Sequence, residues 1–112
     1  FRLGCPASKW GLEGAARTLR RECEGTGIRA TIVRPGPTGP TDFARGWPPA
    51  LVKRLLRSWK YWGLQRSFAW LPPDAVAQAV VAAVSAPPGA HLRVLQVMPE
   101  GPGEPAAEEG RR

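Results

Sequence analysis

The run Arg34-Pro35-Gly36-Pro37-Thr38-Gly39-Pro40-Thr41 constrains this chain more than any other stretch, because it can continue neither a helix nor a strand. Each proline lacks an N–H and each glycine weakens a ladder, so whatever element precedes the run must end there. Proline pairs recur at Pro48-Pro49, Pro72-Pro73 and Pro87-Pro88, and with 13 Gly and 13 Pro in 112 residues the regular elements are short and few. The 43% apolar content still suffices for a small core. One domain at most is expected.

Between these breaks the periodicities are readable. From about residue 6 to 24, Leu12, Ala15, Ala16, Leu19 and Cys23 recur at three- and four-residue spacing with Arg17, Arg20 and Arg21 elsewhere on the wheel, which predicts an amphipathic helix. Gly25-Thr26-Gly27 offers the positive-φ positions that stop it. The alternation of Ile28, Ala30 and Ile32 with Arg29 and Thr31 then predicts a strand over 28–34. A loop leaving the C-terminal end of a strand in an open α/β sheet lines the ligand crevice, so the Pro-Gly run sits where binding is expected.

Leu51, Leu55, Trp59 and Trp62 form an apolar stripe on a second helix, about 49–62. Pro72-Pro73-Asp74 marks a helix start, with proline in the first turn and an acid near the positive end of the dipole. The Ala/Val-rich body up to about residue 85 suits close packing against a sheet. His91 to Met98 is partly apolar on both faces and predicts a buried strand. Residues 99–112 lack periodicity and are expected to be a disordered tail.

The net charge of +7 is unevenly placed: residues 48–71 hold Lys53, Arg54, Arg57, Lys60 and Arg66 and no acid, whereas Glu100, Glu104, Glu108 and Glu109 lie near the C-terminus. Interleaved with Trp47, Trp59, Trp62 and Trp70, those cations could serve a single-stranded nucleic-acid surface, but the stripe spacing of Trp59 and Trp62 favours packing. Cys5 and Cys23 with His91 offer neither a disulfide framework nor a zinc spacing, so no metal is expected. No apolar run approaches a membrane span and no export signal is visible. With Phe1 at the start, a partial, cytoplasmic sequence is expected.

The stretch Gly4-Cys5-Pro6-Ala7-Ser8-Lys9-Trp10-Gly11-Leu12-Glu13-Gly14 resembles the active-site helix of short-chain dehydrogenases/reductases, in which a Tyr-x-x-x-Lys pair precedes a small-residue helix. The i, i+4 spacing lets an ammonium lower the pKa of a phenol on the same face and bind the nicotinamide ribose. A second landmark, Glu24 to Pro37, is similar to the next strand and the Pro-Gly loop of that family, and Leu71 to Ala77 is similar to its proline-aspartate helix start.

The resemblance implies an α/β fold, here a partial Rossmann-type doubly wound parallel sheet: the C-terminal half, with about two strands and three helices over residues 1–98. It implies NAD or NADP as cofactor and hydride transfer between nicotinamide and an alcohol or carbonyl substrate. By the same resemblance Lys9 is a catalytic and cofactor-binding residue, and Pro35, Gly36, Pro37 and Thr38 lie over the nicotinamide, a backbone amide near the fourth loop residue meeting the carboxamide. Thr41 falls one residue beyond the expected phosphate-binding threonine, which leaves Thr38 the firmer correspondence.

Cys5 stands at the tyrosine position, with three readings: an inactivating substitution, a shifted general acid, or a sequence change between neighbouring codons. The first is preferred, because a thiol is much shorter than a phenol and loss of a positioned general acid removes about 10²–10⁴-fold of rate. The Gly-rich dinucleotide turn and the catalytic serine of the family do not occur in these residues. Alternatives are a non-catalytic remnant docking through the helix at 6–24, the face such proteins use to form homo-oligomers, and a basic nucleic-acid binder acting through 48–71.

Overall fold

The structure, a computed structural model, describes residues 4–65 and 69–101. The first helix, α1, spans Gly4–Glu22. Gly25 and Gly27, both at φ 79°, turn the chain toward strand β1, Ile32–Pro35. A 3-10 turn at Asp42–Ala44 interrupts the long connection before α2, Pro49–Tyr61. Helix α3, Pro73–Val84, then leads to strand β2, Val94–Val97.

β1 and β2 pair in parallel, Ile32 opposite Val94 and Pro35 opposite Val97. A parallel pair requires a crossover, which α2 and α3 supply. Of the two, α3 packs directly against both strands. The chain is therefore mixed α/β, with three helices and a two-stranded parallel sheet among the described residues. A further parallel bridge joins Thr38 to Leu71, so the Pro-Gly loop extends the pairing beyond the strand ends.

Four expectations are corrected. The run from Arg34 is expected to continue no strand, yet β1 includes Arg34 and Pro35, because the ladder bond there is donated by the Gly36 N–H to the Val97 carbonyl rather than by a proline. The first strand begins at Ile32 rather than at 28, because residues 28–31 bond outside a ladder: the Arg29 guanidinium donates to the carbonyls of Ala86 and Ala90, and the Thr31 hydroxyl to that of Leu92. The second strand is Val94–Val97 and is not buried, since Val94 stays 41% exposed. The half-buried face of α1 runs through Glu13, Ala16, Arg20 and Cys23, leaving the expected stripe residues Leu12 and Leu19 facing outward. The reason is polar: α1 is tied to the strands by the Glu13–Arg34 pair and by the Arg20 guanidinium, which donates to the carbonyls of Ala30 and Arg93.

Burial is sparse. Leu71 is the one buried apolar side chain among the described residues, whereas Trp10, Leu12, Ile28, Val81 and Val84 are exposed. A two-stranded parallel sheet is ordinarily covered by helices on both faces. No helix of the described residues is long and apolar enough to cross a membrane. The tail expected at 99–112 lies outside the described residues from position 102 onward.

Candidate functional site

The C-terminal ends of both strands open onto one apolar cavity of about 1000 Å³, walled by α1, the Pro-Gly loop, α2 and the end of β2. That volume matches ordinary small-molecule pockets. Lys9 lines it from α1, and every residue from Pro35 to Thr41 lines it from the loop. The motifs that lie 26 or more positions apart in sequence thus meet at one place.

The loop is held in three ways. The Gly36 N–H donates to the Val97 carbonyl at 2.7 Å, continuing the sheet by one bond. The Leu71 N–H donates to Pro37, and the Gly39 N–H donates to Leu71. A Cβ on Gly36 would lie 2.9 Å from the Met98 sulfur and 3.0 Å from Pro99 Cδ, so only glycine passes here without displacing a neighbour.

The bridge to Leu71 uses the groups on either side of Thr38, which turns the Thr38 N–H away from Leu71. That N–H has no hydrogen-bond partner among the described residues. The prolines at 35, 37 and 40 carry no N–H, and those of Gly36 and Gly39 are committed. Thr38 therefore carries an amide that the loop itself does not use.

The two threonines differ in what they retain. The Thr38 hydroxyl donates to the Gly36 carbonyl at 2.9 Å, so its proton is committed. The Thr41 hydroxyl accepts from the Phe43 N–H at 3.4 Å as the cap of the 3-10 turn and keeps its own proton. For an anionic or carbonyl ligand, Thr41 is the better side-chain donor, the reverse of the weight that loop spacing suggests.

Cys5 is exposed and is not among the residues lining the cavity. It precedes Lys9 by one helical turn, about 6 Å along the axis.

One cavity residue was not legible as such in the sequence. Gln65 follows α2, is only 7% exposed, and its Nε2 is buried without a hydrogen-bond partner among the described residues. A buried amide donor left unmatched costs about 1–3 kcal/mol, so a ligand acceptor at this position would be stabilising. No periodicity or motif signals it, because its burial depends on how the turn after α2 folds back: the Leu64 and Gln65 N–H groups both donate to the Trp59 carbonyl.

The aromatics of the basic segment divide accordingly. Trp59 and Trp70 line the cavity, and Trp47 packs on Phe43 with ring centroids 5.4 Å apart. Trp62, expected on the packed stripe, is instead 70% exposed, because α2 turns Val52, Leu55, Leu56 and Trp59 to the cavity. No group of His, Cys, Asp and Glu among the described residues could hold a metal ion.

Comparison with protein-family models, with curated proteins and with solved structures finds no match to this chain.

Proposed function

We propose that this chain is the nicotinamide-facing half of a Rossmann-type short-chain dehydrogenase/reductase domain whose cofactor is NAD or NADP. The observation that carries the reading is the single cavity that joins Lys9 to the Pro35–Thr41 loop and presents the unpartnered Thr38 N–H. Two motifs chosen for their likeness to one family converge there, and Thr38 is the fourth loop residue, where the resemblance puts the carboxamide-binding amide.

The donors fit such a group. Lys9 would hold the ribose hydroxyls, Thr38 N–H the carboxamide oxygen, and Thr41 Oγ1–H an acceptor oxygen further along the cofactor. When bound, the nicotinamide supplies or accepts the hydride exchanged with an alcohol or ketone carbon. Val52, Leu55, Leu56 and Trp70 would give the substrate an apolar wall, and the Gln65 amide would donate to an acceptor on it. The proton at the substrate oxygen lacks its donor, since Cys5 stands where a phenol is required. Binding with turnover reduced by about 10²–10⁴-fold follows.

Titration of the full chain with NADH and NADPH, followed by quenching of tryptophan emission, tests this reading. Saturable quenching that weakens about tenfold in Lys9→Met supports it. Quenching that is absent or indifferent to Lys9→Met removes it.

A second reading is favoured by one observation. Leu12 and Leu19 of α1, seven residues apart and so on one side of the helix, are 63% and 47% exposed, which fits docking with a second copy through this helix. Sedimentation would then give a dimer that Leu12→Glu and Leu19→Glu dissociate, while a monomer at all concentrations excludes it.

A further inference from the structure

The opposite end of the sheet carries a different chemistry. A cleft of about 850 Å³ opens at the N-terminal ends of the strands, between the last turns of α1, the approach to β1 and the turn before β2. Five arginines line it, Arg17, Arg20, Arg21, Arg29 and Arg93, against the single acid Glu24.

None of the five is in an ion pair among the described residues, where the pairs are Arg34 with Glu13 and Arg45 with Asp42. With five cations against one acid in the lining, the cleft is a region of positive potential that an anion bridging several of them would meet favourably.

Two of the guanidiniums are already oriented. Arg20 donates to the carbonyls of Ala30 and Arg93, and Arg29 to those of Ala86 and Ala90, so each crosses between segments that form the cleft. Their forks retain further N–H donors, and Arg17, Arg21 and Arg93 stand beside them with side chains that hold no carbonyl among the described residues. Guanidinium forks bind phosphate oxygens in pairs, and arginines contributed by α1, the approach to β1 and the turn before β2 suit linked phosphates better than a single carboxylate.

We propose that this cleft binds an anion of two or more linked phosphates, independently of the apolar cavity at the other end of the strands. The site requires neither Lys9 nor the Pro-Gly loop and stands whether or not the cofactor reading does.

Isothermal titration of the full chain with inorganic tripolyphosphate at about 0.1 M salt tests it. Saturable one-site binding is expected. Arg17→Gln with Arg21→Gln should weaken it at least about tenfold, while Lys53→Gln with Arg57→Gln, an equal loss of charge on α2, should change it less than about twofold. Helix content is checked by circular dichroism. Arg93→Gln, which lies outside the helix, must weaken binding in the same direction should the double variant lose helix.

Absence of saturable binding overturns the proposal, as does an equal loss from both double variants, which would mean unspecific attraction to net charge. A competition arm separates sources of the linked phosphates. Displacement of tripolyphosphate by a single-stranded oligonucleotide points to a nucleic-acid backbone, and binding undisturbed by it points to a small polyphosphate. Either result upholds the cleft.

Discussion

Arg34 on β1 closes a two-bond fork on Glu13 of α1, Nε to Oε1 at 2.7 Å and Nη2 to Oε2 at 2.5 Å. With α1 burying no residue fully, this pair and the Arg20 bonds fix how the helix lies on the strands. The pair therefore positions Lys9, one turn earlier on the same helix, at the wall of the cavity.

The fork gives α1 docking an acid limit. The hydrogen bond from Arg34, helped by the charges of Arg34, Arg17 and Arg20, holds the Glu13 carboxyl below its ordinary value, while Glu13 holds the Arg34 guanidinium above its own. A depressed carboxylate stabilises the fold fully above its unfolded pKa, about 4.3, and loses that contribution as pH falls through the lower folded value. Arg34 stays charged throughout. Thermal unfolding from pH 7 to pH 2 should show an acid decline that is shallower in Glu13→Gln, whose melting temperature is already reduced at neutral pH. Identical acid profiles would mean that the fork does not hold the helix.

Gly36→Ala places a methyl against the Met98 sulfur and the Pro99 ring. Such overpacking typically costs about 1–3 kcal/mol, read as a lower urea midpoint. Met98→Ala should recover part of the loss, because it removes the flexible sulfur contact and leaves the Pro99 Cδ contact at 3.0 Å. An unchanged midpoint in Gly36→Ala would contradict the close passage of the loop over the end of β2.

Gln65→Leu should stabilise the chain in the absence of ligand. It removes a buried, unpartnered donor while keeping an apolar body of similar size, a gain of about 1–2 kcal/mol in the urea-derived unfolding free energy. A loss of stability would show instead that the amide is already satisfied.

Cys5→Tyr restores the Tyr-x-x-x-Lys spacing on α1. Ultraviolet difference spectra should show the introduced phenol ionising at lower pH than the same phenol in Cys5→Tyr combined with Lys9→Met, because an ammonium at i+4 favours the phenolate. Identical profiles would mean that positions 5 and 9 do not communicate.

The parts of the fold that local chemistry dictates were legible before the structure. The two-glycine turn and the proline starts of α2 and α3 follow from φ preferences and missing N–H groups, which act within a few residues. Most of what was not legible depends on contacts between distant segments. The strand beginning at Ile32 and the outward turn of Leu12 and Leu19 are decided by Arg29, bonded to Ala86, and Arg20, bonded to Arg93, partners that no window of sequence brings together. The burial of Gln65 follows from a local fold-back on Trp59 that no periodicity or motif signals. In the site, Lys9 and the Pro-Gly loop were visible as motifs, whereas the spare donors were not. That Thr38 keeps an N–H and Thr41 an O–H is set by the bridge to Leu71 and the cap on Phe43.

In the proposed complex Lys9 and Thr38 hold the nicotinamide riboside moiety, and Thr41 meets an oxygen further along the cofactor. A nitrogen–proton correlation spectrum of the labelled chain titrated with reduced nicotinamide riboside, which carries no phosphate and so does not engage the arginine cleft, tests this. Saturable shifts are expected at Lys9, Gly36, Thr38 and Gly39, largest at the Thr38 amide, with the resonances of Arg17, Arg21 and Arg93 unmoved. A spectrum without saturable shifts, or shifts that spare Thr38 and Lys9, would contradict it.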